Sequence, residues 1–137
     1  MKKWNAFKST VNNSYTYTVI TASFSGSSTE TNITVRNGVV TERAYTLYTS
    51  NSGNRSVVKT WTENSATLNT HTEVPPSLTI DEIYAKAKAE WLSVDKSKNE
   101  IYFEINDDGM ISTCGYFPKG CQDDCFIGVN IKSITPL

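Results

Sequence analysis

The side chains best equipped for chemistry in this 137-residue chain are three cysteines, one histidine, a few clustered carboxylates and three tryptophans. Cys114, Cys121 and Cys125 follow a C-x6-C-x3-C spacing near the C-terminal end. A structural zinc takes four ligands, and the single histidine, His71, is far away in sequence, so no metal site is expected. A dithiol redox site takes C-x-x-C, which is absent. One disulfide is the expectation. Cys114 with Cys125 would staple a hairpin around Gly115-Tyr116-Phe117-Pro118, whereas Cys121 with Cys125 would pin a turn; spacing does not choose between them, and one thiol is left over.

Among the carboxylates, Asp107-Asp108-Gly109 and Asp123-Asp124 carry oxygens suited to calcium. They lack EF-hand spacing, and Asp-Gly pairs are ordinary turn chemistry. A glycosidase pair needs two carboxylates facing one cleft. Glu100, Glu104 and Asp108 instead follow a pattern that sets them along the edge of a sheet. His71 has Glu73 nearby but no evident nucleophile, so Ser/His catalysis is not expected. Phosphate-loop and dinucleotide patterns do not occur. No cofactor is expected, and the chain reads as a non-enzyme. Of the tryptophans, which can stack on sugars, Trp91 falls in a helical stripe and reads as core, and Trp61 is the candidate ligand contact.

Modification is the remaining chemistry. Asn12, Asn32 and Asn54 each begin an Asn-x-Ser/Thr triplet. With 33 Ser/Thr and 12 Asn in 137 residues, about three such triplets arise by chance, so only position carries weight. Asn32 alternates with Ile33 and Val35 and should face outward, Asn54 sits at a loop tip, and Asn12 precedes the first strand. Met1-Lys2-Lys3 lacks a following apolar run, so either the chain is cytosolic or the numbering starts after a removed leader, the second being the expectation here.

Thr, Ser and Asn make up 45 residues while charged residues are 20%, so polarity comes mainly from hydroxyls and amides. A net charge of −1 argues against a nucleic-acid partner, which demands a basic face. No apolar run reaches the roughly 18 residues that a membrane-spanning helix takes.

The elements that must position these groups are mostly strands. Tyr15-Thr16-Tyr17-Thr18-Val19-Ile20-Thr21-Ala22 is rich in aromatic and β-branched residues, and its apolar face changes parity at Val19/Ile20, which predicts a bulge or contact on both faces. Asn37-Gly38 between Ile33-Thr34-Val35-Arg36 and Val39-Val40-Thr41-Glu42 predicts a two-residue hairpin turn, with the second arm running on through Tyr48. A short strand is expected over 57–62 and irregular chain over 63–78. Thr79 with Glu82 predicts a capping box. Ile80, Ile83, Tyr84, Ala87, Trp91 and Val94 then form the apolar stripe of a helix over about 80–93. Ile101, Phe103 and Ile105 alternate as a half-buried strand, and a last strand runs over 126–134 with Ile127, Val129 and Ile131 on one face. The fold class predicted is α+β: an antiparallel sheet with one amphipathic helix on one face.

Three stretches carry a resemblance. Ile33-Thr34-Val35-Arg36-Asn37-Gly38-Val39-Val40, Thr79-Ile80-Asp81-Glu82-Ile83-Tyr84, and the tail from Ile105-Asn106-Asp107-Asp108-Gly109 through Gly115-Tyr116-Phe117-Pro118 to Gln122-Asp123-Asp124 resemble the motifs of a family of small secreted or lipid-anchored domains (domain-of-unknown-function family 6174). The resemblance implies an exported single domain with no assigned reaction, and it transfers no catalytic residue.

Residues 1–78 carry seven Lys/Arg against four Asp/Glu, and residues 79–137 carry six against ten, an asymmetry that favours head-to-tail stacking of copies. Residues 1–14, with Trp4, Phe7 and Val11 among polar neighbours, read as a segment donated to a neighbouring copy, and residues 15–137 as the domain proper. The function expected is thus an extracellular structural glycoprotein, carrying N-linked glycans, whose copies polymerise into a filament or surface layer through strand or terminal-segment exchange. The alternative is a secreted monomeric module that binds a carbohydrate or protein ligand.

Overall fold

The computed structural model describes residues 2–23, 26–51, 53–121 and 125–137. In chain order, helix α1 (Lys2–Thr10) precedes strands β1 (Tyr15–Ala22), β2 (Ser27–Arg36), β3 (Val39–Asn51) and β4 (Asn54–Glu63). Helix α2 (Ile80–Lys86) follows and continues as a π-helical turn over Ala87–Trp91. Strands β5 (Asn99–Ile105), β6 (Ile111–Pro118) and β7 (Ile127–Pro136) complete the chain. The strands form one antiparallel sheet in the order β4-β3-β2-β1-β7-β6-β5, the α+β architecture expected from the pattern.

Local chemistry accounts for several of these boundaries. Asn37 (φ 51°) and Gly38 (φ 81°) both adopt positive φ, which matches the turn to the right-handed twist of β2 and β3. β1 does not change parity: it pairs with β2 without a break from Tyr15↔Val35 to Ala22↔Ser28, and the bulge lies instead in β7, where Lys132 is the extra residue between Thr18↔Ser133 and Val19↔Ile131. The capping box of α2 is present: Glu82 N–H donates to Thr79 Oγ1 at 3.2 Å, and Thr79 N–H donates to Glu82 Oε1 at 2.9 Å. The helical segment ends at Trp91, slightly short of 93. It widens there because Leu92 N–H reaches the carbonyl of Ala87, five residues back, at 2.9 Å.

One face of the sheet is the core. Tyr15 and Tyr17 of β1, Ile33 and Val35 of β2, and Val129 and Ile131 of β7 bury against Ile80, Ile83, Tyr84 and Trp91. The opposite face carries Thr16, Thr18, Glu30, Asn32, Thr34, Thr46 and Thr62. Thr16 and Thr135 share a hydrogen bond at 2.8 Å, and Thr18 donates to Asn32 Oδ1 at 2.5 Å, so hydroxyls pair across the strands. The abundance of Thr, Ser and Asn is thus the solvated face of an antiparallel sheet.

The N-terminal segment, expected to be donated to a neighbouring copy, packs here within its own chain, and two other expectations are corrected. Residues 2–10 form α1, which folds back so that Trp4, fully buried, meets Tyr15 edge-on at 5.0 Å. Trp4 Nε1–H donates to Asp81 Oδ1 at 2.7 Å, and Lys8 pairs with the same carboxylate at 3.0 Å. Residues 114–118 are not a hairpin but the second half of β6, where Cys114, opposite Phe103 and Val129, points into the core. β5 is not half-buried: it is the last strand of the sheet, and Phe103 and Ile105 remain in solvent.

Candidate ligand-binding cleft

The core face is not filled along its whole length. Between α2 and the upper parts of β1, β2 and β7 lies a cleft of about 420 Å³. Its floor is Val19, Thr31 and Ile33, its roof is Ile83 and Trp91, and Tyr116, Ile127 and Val129 close the far side. Thr21 and Thr29, their hydroxyls 2.6 Å apart, mark a polar end. Lys86 and Glu90, one helical turn apart, stand on the lip, and the Lys86 ammonium lies 5.9 Å from the Trp91 ring centroid.

The near wall is the segment 74–78, which has no regular secondary structure and must be held by side chains. Alternation along β3 turns Arg43 inward beside Tyr45 and Leu47, and the strand register sets it opposite Glu63 of β4. Both are fully buried, with Arg43 Nε 2.9 Å from Glu63 Oε1. The guanidinium spends its other donors on the carbonyls of Pro75 (2.7 Å) and His71 (3.2 Å). Glu63 accepts from the backbone N–H of Asn69 (3.0 Å) and His71 (2.8 Å), and His71 Nδ1 lies 2.8 Å from its Oε2. Asn69, at φ 64°, presents Oδ1 to Ser77 N–H at 2.9 Å. Tyr17 OH donates to the carbonyl of Leu78, and Ile80 N–H donates to Tyr15 OH at 2.8 Å. One buried ion pair and two tyrosines therefore fix the wall.

Charge states follow from these contacts. Burial by itself would raise the Glu63 carboxyl, but the bonds from Arg43, His71 and Asn69 outweigh it and hold the group well below the usual carboxylate range. Burial pushes Tyr15 up to about 12 and Tyr17 higher still, so both phenols stay neutral.

The sequence candidates fall elsewhere. Trp61 stacks on Tyr45 (4.8 Å between centroids) and on His71 (3.9 Å), and its Nε1–H donates to Glu73 at 3.1 Å, so its ring surface is used within the chain. A smaller hollow of about 260 Å³ beside it is lined by His71, Glu73 and Pro75 among others. Asn12, Asn32 and Asn54 all stand exposed, Asn32 on the outer sheet face as its alternation requires. Cys121 and Cys125 form a disulfide, and Cys114 is a free, buried thiol. Asp108 Oδ1 caps the turn between β5 and β6 by accepting from Met110 N–H at 3.0 Å, while Asp123 and Asp124 lie outside the described residues. Among the described residues no three His, Cys, Asp or Glu gather to hold a metal, and no helix is long and apolar enough to cross a membrane. The sequence reading missed the Arg43–Glu63 pair, although Arg43 at an inward position of an alternating strand was the available signal.

Compared with protein-family models, with curated proteins and with solved structures, the chain finds no match in any of the three.

Proposed function

We propose that this protein is a binding module that holds one small, largely apolar molecule in the cleft between α2 and the sheet, closest to the second of the two functions read from the sequence. The observation that carries the reading is the cleft itself. Its volume of about 420 Å³ falls in the range of small-molecule sites, roughly 300–1,000 Å³. Its lining is mainly aliphatic and aromatic, with hydroxyls at one end and one ammonium and one carboxylate on the lip. The mainly apolar lining favours holding a molecule, and binding is the chemistry proposed. The ligand site moves from Trp61 to the cleft, because Trp61 has its ring surface occupied.

Anilinonaphthalene sulfonate, an apolar fluorophore with one anionic group, is a suitable probe. A saturable single-site titration, with quenching of Trp91, is expected. Val19→Trp, which places an indole in the cleft, should abolish it in a folded protein, and Trp61→Phe should leave it unchanged. Unsaturable binding, or binding indifferent to Val19→Trp, rejects the reading.

Export belongs to the same proposal, as does kinship with the small secreted domains that the motifs resemble. It is supported by the Cys121–Cys125 disulfide and by the exposure of Asn12, Asn32 and Asn54. Expression through a eukaryotic secretory route, followed by mass spectrometry with and without glycosidase, should reveal glycans at these asparagines. An unmodified secreted chain would remove glycosylation from the proposal.

A further inference from the structure

The two ends of the sheet, β4 and β5, differ from the rest in three ways. Among the described residues each pairs with one neighbour only, so a row of backbone donors and acceptors faces outward from each. Each also leaves apolar side chains in water: Val57 and Val58 of β4 are 59% and 58% exposed, and Phe103 and Ile105 of β5 are 49% and 57% exposed. Finally, the edges are sorted by charge. β4 exposes Arg55 and Lys59, its one carboxylate, Glu63, being buried against Arg43. β5 carries Glu100 and Glu104, both exposed and neither in an ion pair among the described residues.

Charges on edge strands ordinarily prevent pairing. Protection alone does not require one sign per edge. Here like edges repel, Arg55 and Lys59 against themselves or Glu100 and Glu104 against themselves, whereas unlike edges attract. The topology permits the unlike match. Seven antiparallel strands give β4 and β5 the same sense along the sheet, so a copy placed side by side and turned by the twist accumulated across the sheet sets its β5 parallel to β4 with the faces of the two sheets continuous. In that arrangement Arg55 stands on the same face as Glu100 and Glu104, because its register partner Ser50 and their partners Phe117 and Thr113 all lie on the outer side of the sheet, whereas Lys59, opposite Leu47, stands on the inner side and adds to the charge of the edge only at longer range.

We propose that copies of this chain associate head to tail, β5 of one beside β4 of the next, so that the sheet continues from molecule to molecule. The contact is heterologous and does not close on itself, so the product is an open row rather than a dimer. It uses neither α1 nor the cleft. Arg55 and Lys59 already have partners in Glu30 and Glu73, but these are surface pairs of little strength, easily shared with an incoming carboxylate.

Light scattering of the full chain tests this. Apparent mass should rise with concentration at low ionic strength. It should fall back towards the monomer as salt is raised from about 0.01 M to about 1 M, where the Debye length shrinks from about 30 Å to about 3 Å. Glu100→Lys/Glu104→Lys gives a chain with two basic edges, and Arg55→Glu/Lys59→Glu gives one with two acidic edges. Each should stay monomeric alone, with unchanged circular dichroism, and an equimolar mixture of the two should regain association. A wild-type chain that is monomeric at every concentration in low salt overturns the proposal, as does association that either charge reversal leaves intact. Two variants that fail to associate when mixed also overturn it.

Discussion

At the scale of single residues, the Arg43–Glu63 pair governs how the cleft is held. Desolvating two charges is costly, and here the cost is offset because every strong donor near Glu63 is aimed at it. Removing one partner leaves a buried charge without compensation. Glu63→Gln should therefore lower stability by about 3–5 kcal/mol in urea unfolding, and should weaken probe binding by loosening 74–78. The same group sets an acid limit. Its carboxyl is held below its unfolded value, so the stability it contributes is complete above the unfolded carboxylate pKa of about 4.3 and is lost as pH falls beneath it. Urea midpoints should drop steeply on acidification below about pH 4.3 in the wild type and more shallowly in Glu63→Gln. Cys114 makes a contrasting prediction. Burial pushes its thiol up to about 11, so the native chain should resist alkylation at neutral pH and become reactive only on unfolding, which mass spectrometry of iodoacetamide-treated protein reads directly.

At the scale of elements, what was legible in the sequence is what local chemistry alone decides. The Asn37-Gly38 turn and the Thr79/Glu82 box each require a particular residue at a particular offset, and both are present in the structure. What was not legible depended on partners distant in sequence. Trp4, Phe7 and Val11 do carry helical spacing, but a nine-residue helix is marginal in water, and α1 forms because Tyr15, Tyr84 and Asp81 receive it. The alternation of β5 was read correctly as a strand and wrongly as half-buried, since periodicity does not say whether anything packs on the face. The cleft was invisible for the same reason: it is the space left between α2 and the core face where the two do not meet. β6 and β7 show how closely elements constrain residues. Gly115 (φ 158°) lies opposite Gly128 (φ 148°), and a Cβ on either would run into the other strand's backbone. Gly115→Ala should push β6 off β7 and cost at least the upper end of the usual range of about 0.5–3 kcal/mol. Thr79→Ala, which removes only the cap, should cost about 1 kcal/mol. Thermal unfolding of the two variants would rank them.

At the scale of the whole molecule, the question is whether one chain completes its own fold. A donated N-terminal segment and a head-to-tail row of closed monomers both produce assemblies, but they make opposite demands on stability. In the first, Trp4 would fill a neighbour's core, unfolding would be linked to dissociation, and the midpoint would rise with protein concentration. In the second, Trp4 fills its own core, wedged between Tyr15 and Tyr84, and the contact between copies uses only surface already formed. The structure shows Trp4 packed in its own chain. In high salt, where edge pairing is screened, the urea midpoint should accordingly be the same across a wide range of concentrations. Trp4→Ala should lower the unfolding free energy by about 3–5 kcal/mol at each of them. A midpoint that climbs with concentration under those conditions would mean that α1 is exchanged between copies after all, and the charged edges would then be bystanders to an assembly built on the N-terminal helix.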